Sequence, residues 1–404
     1  MTGSVSDVDR TLLERAAAAP MLAQVESWAG TNSGSANLAG LEHLATQLAD
    51  AFSTLPGDVA LHEAAPVEAV TADGETVPLA HGRNLHVRVR PAAPVQILLT
   101  GHMDTVFAAD NPFQGLTWLG EGVLNGPGVA DMKGGLAIML AALTAFEGTD
   151  DARRLGYEVV VNSDEEVGSP GSAPLIAAAA RGKLAALTYE PSLAPDGTLA
   201  SARPGSGNFS IVIAGKDAHA GRNPQDGRNA VVAAADLTLR LSRIAGPGLT
   251  VNPARIDGGG PNNVVPAHAV LRVNMRPSLP QDAARARLEM EEVVAMVAAA
   301  HDVAVHVHGG FGRPPKPFDA RTERLFGLVR DCGARMGLEI GWRPTGGVCD
   351  GNNIAATGVP VVDTLGARGG AIHSADEYLL TDSLAERAGL SALVLTRLAR
   401  GEGL

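Results

Sequence analysis

The chain has 404 residues, of which 45% are hydrophobic and 19% are charged, and its formal net charge is -12 at pH 7. This length favours two domains, and the composition is typical of a folded globular protein rather than a disordered one. An acidic balance without a basic cluster argues against nucleic acid or an anionic membrane as a partner. Two cysteines are too few for a disulfide scaffold, so we expect a reducing, cytoplasmic location.

The N-terminal stretch has no basic segment followed by an apolar run, and no stretch of about 18 apolar residues is uninterrupted, so we expect neither a signal peptide nor a membrane span. The first 50 or so residues have helical patterns. Strands ("VQILLT", "GYEVVVN", "LAALTYE") then alternate with helices ("DMKGGLAIMLAALTAFEG", "GSAPLIAAAARG"). This alternation predicts an α/β domain whose mostly parallel sheet is flanked by helices.

The pattern changes after about Arg203, where two long helical patterns and three or four strand patterns predict a smaller α+β layer. The segment "FGRPPKPFD" has the composition of a proline-rich linker. After it the alternation of strands and helices returns, with a strand in "GVPVVDTLGA" and a helix from about Thr381. We therefore expect a larger domain made of residues 1–203 and 316–404, interrupted by an inserted domain at 204–315.

Ligands of open α/β sheets gather at the carboxyl ends of the strands. In this chain those ends and the neighbouring loops carry histidines and acids, within "GHMDTV", "ADMKGG", "SDEEVGS", "YEPS" and "AIHSADEY". The residues are His102, Asp104, Asp131, Glu165, Glu166, Glu190 and His373. Taken singly, each has an ordinary interpretation as a core or surface histidine, a helix N-cap or a solvated acid.

Together, however, these carboxylates would need compensating positive charge, because buried carboxylates are costly when unpaired. Two divalent metal ions would supply that charge. Imidazole and carboxylate ligands without cysteine suit zinc or a similar first-row metal. A carboxylate with two oxygens is well suited to bridge two ions about 3.5–4 Å apart.

The motifs quoted above, with "KDAHAG" and "NNVVPA", resemble those of the M20 metallopeptidases, most closely the carboxypeptidase G2-like branch, from about Val95 to Tyr378. The resemblance implies a catalytic domain with an inserted dimerisation or lid domain, and a homodimer. It implies two divalent ions, zinc in the first place, with Co2+ and Mn2+ as alternatives. The implied ligands are His102 and Glu190 for one ion, Glu166 and His373 for the other, and Asp131 as the bridge.

The same resemblance implies that Glu165 is the general base and that Asp104 orients the His102 ring. A water held between the ions would attack an amide carbonyl, and Glu165 would take its proton and return a proton to the departing amine. The family also has a cis peptide after the bridging aspartate, here between Asp131 and Met132.

In the inserted domain, the resemblance gives His219 a role at the oxyanion, often across a dimer, and Asn263 a hydrogen bond to substrate. Arg276 aligns with an arginine that holds the substrate carboxylate, so the substrate would carry a free α-carboxylate. Two residues are left open. Cys349 either shapes the pocket or is an inert buried thiol, and Arg368 either binds a second carboxylate or lies in solvent.

The function expected on this basis is hydrolysis of an amide or peptide bond in a small molecule or peptide, with release of an amino acid. An N-acyl-amino-acid deacylase is the alternative within hydrolases. A non-catalytic, metal-binding dimeric scaffold is the alternative outside enzymes. An uncoordinated acid at Glu165 argues against the scaffold, because a protein without catalysis has no physical need for it.

Overall fold

The computed structural model of the protein describes residues 7–402. Residues 1–6 and 403–404, at the two ends of the predicted larger domain, lie outside the described residues. The helices of the described chain are α1 (Asp7–Ala17), α2 (Met21–Ala29), α3 (Leu38–Phe52), α4 (Gly134–Glu147), α5 (Ala173–Ala180), α6 (Ala230–Arg243), α7 (Pro280–His301), α8 (Ala320–Arg335), α9 (Asp350–Ala355) and α10 (Asp382–Ala399).

The strands of the described chain are β1 (Asp58–His62), β2 (Val67–Val70), β3 (Thr76–Leu79), β4 (Asn84–Val89), β5 (Val95–His102), β6 (Thr117–Gly120), β7 (Val123–Asn125), β8 (Leu155–Asn162), β9 (Ala185–Thr188), β10 (Leu199–Ala200), β11 (Ser206–Ala214), β12 (Ala218–His219), β13 (Leu249–Gly258), β14 (Val264–Val265), β15 (His268–Pro277), β16 (Ala304–Arg313), β17 (Trp342–Arg343), β18 (Val361–Val362), β19 (Gly369–Gly370) and β20 (Tyr378–Leu380). The strands and helices predicted from the pattern are present, with ends shifted by a few residues.

The larger domain is built on a six-stranded sheet in the order β1-β4-β8-β5-β9-β18. Strands β8, β5, β9 and β18 are parallel, and β4 and β1 extend the sheet with antiparallel pairs. The prediction of a mostly parallel sheet is therefore confirmed. The parallel strands place their carboxyl ends on one edge of the sheet.

Helices cover both faces of this sheet, as the predicted α/β class requires. In β5, Ile97 and Leu99 belong to a large core beneath α1, α4 and α10, whereas Leu98 belongs to a smaller core with Ile176 and Ile354. Successive strand residues point to opposite faces, so the continuous apolar run "ILL" serves both cores.

The inserted segment forms a second, antiparallel sheet in the order β13-β15-β11-β16. Helices α6 and α7 cover one face of it, and the core between them includes Phe209, Ile211, Leu237, Leu271 and Val297. All buried members of that core lie between residues 209 and 303. The smaller unit is thus an α+β layer with its own core, as expected.

The chain crosses between the two units twice, and the crossings are held together. The backbone N–H of Arg203 donates to the carbonyl of Lys316, and that of Lys316 donates to the carbonyl of Arg203, both at 3.0 Å. Both side chains reach the buried carboxylate of Asp363, with Arg203 Nε and Lys316 Nζ each 2.8 Å from Oδ2. These residues form the root of the inserted domain.

Among the described residues, one helical segment, Val129–Glu147, is long and apolar enough to cross a membrane by length and composition. In the fold, 94% of its most apolar window is buried inside the protein. A core helix of a globular domain passes the same test. Gly135 in this helix allows the close approach to β9, because a Cβ there would lie 2.0 Å from the carbonyl oxygen of Tyr189.

Candidate metal centre

The acidic residues and histidines collected from the sequence meet at the carboxyl edge of the larger sheet. His102 is the last residue of β5, Glu165 and Glu166 lie in a 3-10 turn after β8, and Glu190 follows β9. Asp131 lies in the turn Val129–Lys133 that opens α4. His373 lies in the loop between β19 and β20 and has a positive φ of 64°.

Two groups of three side chains share Asp131. The first contains His102, Asp131 and Glu190, and the second contains Asp131, Glu166 and His373. Within each group the potential ligand atoms all lie within 4.8 Å of one another. In the first group His102 Nε2 is 3.1 Å from Asp131 Oδ1 and 3.7 Å from Glu190 Oε2.

In the second group His373 Nε2 is 3.2 Å from Asp131 Oδ2 and 3.2 Å from Glu166 Oε2. The two imidazoles therefore contact different oxygens of the same carboxylate. This is the arrangement in which one aspartate can bridge two ions. The peptide bond between Asp131 and Met132 is cis, as the resemblance implies.

The chemistry of the donors fits two divalent cations. Glu190 Oε1 is buried and has no hydrogen-bond partner. Three carboxylates and two imidazoles without a thiolate are hard and intermediate ligands, typical of zinc, cobalt or manganese rather than copper(I). A cation in the first group would give this oxygen a partner.

The electrostatics of the site also favour the binding of positive charge. Burial raises the pKa of Glu190, although His102 opposes this shift. Burial and the charge of Asp131 raise the pKa of Glu166 to about 7. Hydrogen bonds to Asp131 and Glu166 raise the pKa of His373 to about 11. The two histidines lower the pKa of Asp131 against its burial. Divalent cations would favour the charged form of all three carboxylates.

Asp104 contacts the His102 ring, as expected, and also contacts the turn that follows β8. His102 Nδ1 donates to the backbone carbonyl of Asp104 at 3.0 Å, and the nearest carboxylate oxygen is 3.4 Å away. With its proton on Nδ1, the ring presents Nε2 to Asp131 and Glu190, which is the orientation a metal ligand needs.

The Asp104 carboxylate also holds the turn that follows β8. It accepts the backbone N–H groups of Glu165 and Glu166, both at 3.1 Å, and the hydroxyl of Ser35 at 2.7 Å. Asp104 is fully buried. One residue therefore positions both a histidine through its carbonyl and the two glutamates through its carboxylate.

Two buried residues that we did not single out from the sequence support the same groups. The Glu377 carboxylate accepts the backbone N–H groups of Gly128 at 3.2 Å and of Ala130 and Asp131 at 3.0 Å. Glu377 thus ties the loop of His373 to the turn that carries Asp131. Its place in the motif "HSADEY" was the available sequence signal.

The second residue is Arg313, in the segment that the sequence marks as a linker. Its Nη2 donates to Glu165 Oε1 at 2.7 Å, and its Nη1 donates to Asp350 Oδ1 at 2.9 Å. Burial raises the pKa of Glu165 well above its usual value, and Arg313 opposes that shift. No local pattern marks an arginine in a proline-rich segment as the partner of a glutamate 148 residues earlier.

Two clefts meet at the candidate metal centre, and both are lined by Glu165, Glu166 and His373. The first has a volume of about 510 Å³ and runs along the larger domain. The second has a volume of about 910 Å³ and is bounded by the open face of the inserted sheet and by the β2–β3 hairpin. An extended substrate can therefore pass across the centre with one part in each cleft.

The residues predicted in the inserted domain lie in two places. Arg276 lines the second cleft, where its Nε donates to Asn274 Oδ1 at 3.1 Å and its Nη1 to the carbonyl of Gly346 at 3.2 Å. His219 and Asn263 are neighbours on the exposed β12–β14 ribbon, and neither lines either cleft. Within one chain the structure does not bring these two residues to the candidate ligands.

The structure also shows the surroundings of the two residues that the sequence left open. Arg368 is half-buried and is paired with Asp382 at 2.8 Å and Glu386 at 3.3 Å, so it does not lie free in solvent, and it lines neither cleft. The Cys349 thiol is buried, donates to Asp363 Oδ2 at 3.5 Å, and still lines the first cleft.

Known proteins show which family the chain belongs to. The model of peptidase family M20/M25/M40 matches residues 98–397. The chain is 31% identical over 336 residues to carboxypeptidase G2 of Pseudomonas sp. (strain RS-16), covering 80% of this chain and 78% of that protein. It is 29% identical over 338 residues to succinyl-diaminopimelate desuccinylase of Xanthomonas oryzae pv. oryzae (strain PXO99A), covering 78% of this chain and 86% of that protein.

The fold resembles that of a dinuclear metal binding peptidase of the M20 family from Bacillus subtilis, with a TM-score of 0.66 at 13% identity, covering 97% of this chain and 99% of the other. At that identity the likeness shows the fold alone. The family match covers most of the chain, and the chain belongs to peptidase family M20/M25/M40. It is a metallohydrolase that acts on amide bonds.

Proposed function

We propose that this protein hydrolyses the amide bond of a peptide or N-acyl amino acid and releases an amino acid with a free α-carboxylate. The observation that carries the proposal is the pair of ligand groups sharing Asp131, with Glu165 and Arg276 lining the cleft beside them. Relatedness to carboxypeptidase G2 at 31% identity supports the same class of reaction.

Five residues would hold two divalent ions, zinc in the first place: His102 and Glu190 on one side, Glu166 and His373 on the other, and Asp131 between them. When bound, two such ions polarise a carbonyl and lower the pKa of a water molecule. Glu165 belongs to neither ligand group. Its carboxylate would take the proton of the attacking water and return a proton to the departing amine nitrogen.

Arg276 would bind the α-carboxylate of the amino acid that leaves. Its guanidinium is exposed in the second cleft, and a planar guanidinium can hold a carboxylate with two parallel hydrogen bonds. This role places the amine side of the scissile bond in the second cleft. It also explains why the open face of the inserted sheet is polar, whereas its other face is the core.

We further infer a homodimer through the inserted domain, with His219 and Asn263 reaching the site of the partner. Two observations support this: β13 is an edge strand of its sheet, and Leu239 of α6 remains 59% exposed. An edge strand with unpaired backbone groups favours pairing with another chain. Analytical ultracentrifugation at micromolar concentration tests the inference, and a monomer would contradict it.

The experiment that tests the proposed activity is amino-acid release by zinc-loaded protein from dipeptides, N-acetyl amino acids and aroyl glutamates. The Glu165→Ala variant is the matched control, because it removes the base and leaves all five candidate ligands. General acid–base catalysis typically contributes about 10²–10⁴-fold, so release should fall by at least a hundredfold while both metals remain bound. Release from N-acetyl substrates alone would favour a deacylase, and no release at all would favour the scaffold.

A further inference from the structure

The lining of the first cleft is mostly apolar when the candidate metal ligands are left out. Its wall consists largely of Leu193, Ala194, Pro195, Val348 and Ile372. Leu193 to Pro195 belong to the loop after Glu190, and Ile372 lies next to His373 and is 40% exposed. A substrate group that enters this cleft therefore leaves water for mostly hydrocarbon surroundings.

The polar side chains along this wall are already committed to other partners. Arg203, the cation of the cleft, is bound to Asp363 through Nε at 2.8 Å and Nη2 at 3.2 Å. Ser192 donates to the carbonyl of Ala194 at 2.8 Å, and Thr364 accepts the N–H of Ala200 at 2.9 Å. Tyr378 and Thr345 are the polar side chains left for a substrate, and both are uncharged.

The nearest additional cation is also neutralised. Arg368 lies behind the loop that forms the wall, where its Nη1 donates to the carbonyl of Pro195 at 3.2 Å. Its charge is balanced by Asp382 and Glu386. With the candidate ligand His373 set aside, no described residue that lines the first cleft has a cation free to pair with an anionic group.

The two clefts assign the two sides of the scissile bond. Arg276 lies along the second cleft and is absent from the first, so the amino acid that carries the α-carboxylate belongs to the second. The acyl group is attached on the opposite side of the amide. It must therefore enter the first cleft, since both clefts meet at Glu165 and His373.

We propose that the first cleft is an acyl subsite for an uncharged, apolar acyl group of several carbons, and that it discriminates against both acetyl and succinyl groups. This inference rests on the proposed function for the direction of the substrate. An acetyl group would leave most of a cleft of about 510 Å³ unfilled. A succinyl carboxylate would be desolvated there without a partner, which is costly.

The test is isothermal titration calorimetry on the zinc-loaded Glu165→Ala protein. This variant keeps the apolar wall of the first cleft, and its hydrolysis of the ligands should be at least a hundredfold slower than that of wild type. The ligands are Nα-acetyl, Nα-pentanoyl and Nα-succinyl derivatives of glutamate, leucine and lysine, so that the side chain of the amino acid varies independently. Each buried methylene contributes about fourfold in affinity, so pentanoyl should bind at least tenfold tighter than acetyl. Pentanoyl should also bind at least tenfold tighter than succinyl, and equal or tighter binding of either competitor would overturn the proposal.

A pair of variants at Leu193 sharpens the test, because this residue touches the cleft without being a candidate ligand. Leu193→Lys adds a cation and should raise the affinity ratio of succinyl to pentanoyl at least tenfold. Leu193→Ala removes apolar surface only and should weaken pentanoyl without improving succinyl. An unchanged ratio in Leu193→Lys would show that the acyl group does not occupy this cleft.

Turnover by the wild-type protein is measured on the same ligands and answers a separate question. If binding keeps the expected order and no ligand is cleaved, the acyl subsite stands and the proposed hydrolysis fails. If ligands are cleaved and succinyl or acetyl is favoured, the hydrolysis stands and the subsite assignment fails.

Discussion

Arg313 donates to Glu165 Oε1 at 2.7 Å, although one residue ends the last strand of the inserted domain and the other follows a strand of the larger domain. Both side chains are buried, at 4% and 10% exposure. The pair therefore links the two units directly at the candidate base. A long-range ion pair of this kind positions a carboxylate that has no metal to hold it.

Substitution of Arg313 should destabilise the protein more when the positive charge is lost than when it is kept. Arg313→Leu leaves Glu165 and Asp350 buried without their cation, and breaking a buried ion pair costs about 3–5 kcal/mol. Arg313→Lys keeps the charge but loses the forked geometry, so it should cost clearly less. Urea denaturation gives both values, and equal stabilities of the two variants would contradict the role of charge.

Glu377 should control metal affinity without being a ligand. Its carboxylate fixes three backbone N–H groups around Asp131, and loss of such supporting contacts typically weakens metal binding by about 10–100-fold. We expect this loss in Glu377→Ala and a smaller one in Glu377→Gln, whose amide oxygen still accepts. Competition with a chromogenic chelator measures the affinity.

The matched control for Glu377 is its exposed neighbour Asp376, whose side chain makes no described contact with the turn of Asp131. Asp376→Asn should leave zinc affinity within about twofold of wild type. If both variants lowered the affinity alike, the effect would come from the charge of the loop rather than from the hydrogen bonds.

Asp363 should make the root of the inserted domain sensitive to acid. Burial opposes ionisation, but Arg203 and Lys316 outweigh it and hold the pKa of Asp363 below its usual value. A carboxyl group with a lowered folded-state pKa stabilises the protein above its unfolded pKa near 4, and that stability is lost as the pH falls through the folded value. Urea denaturation of wild type and Asp363→Asn between pH 7 and pH 3 should therefore show curves that converge at low pH.

At pH 7, Asp363→Asn should lose about 3–5 kcal/mol, because two buried cations are left without a full counter-charge. Asp331→Asn removes an exposed ion pair with Arg330 and serves as the control, with an expected cost of about 0–1 kcal/mol. A difference between wild type and Asp363→Asn that stayed constant with pH would show that the carboxylate acts by packing alone.

Both cysteines should be unreactive until the protein unfolds. Cys332 and Cys349 are free and buried. Burial raises the pKa of the Cys332 thiol to about 11 and that of Cys349 well above its usual value. Because the thiolate is the reactive form, Ellman's reagent at pH 8 should titrate almost no thiol in the native protein and two per chain in guanidinium. Rapid reaction of one thiol in the native state would contradict this.

Much of the fold was accessible from local patterns. The apolar run Ile97–Leu99 and the periodic helix that follows Asp131 predict a buried strand and a core helix, and both are present. The antiparallel strands β1 and β4 and helix α8 were not predicted. Their sequences mix polar and apolar residues: β1 and α8 each present one side to solvent, and β4 carries His86 and Arg88 among buried residues. Such patterns are weaker than a continuous buried run.

The candidate ligands could also be collected from the sequence, since each follows a strand or opens a helix, and parallel strands bring their ends together. His102, Asp131 and Glu190 are brought together in this way by the ends of β5 and β9 and the start of α4. The motifs carry this information locally, within a few residues of each element.

Only the tertiary structure decided the partners that lie far apart in the chain. It assigned the Asp104 carboxylate to the turn of Glu165 and Glu166, placed Arg313 on Glu165, and neutralised Arg368 with Asp382 and Glu386. Hydrophobic periodicity and strand ends are set by neighbouring residues, so the sequence alone determined most of the elements and the chemistry they carry. Which charge meets which depends on how whole layers pack, and that is settled only when the two cores have formed.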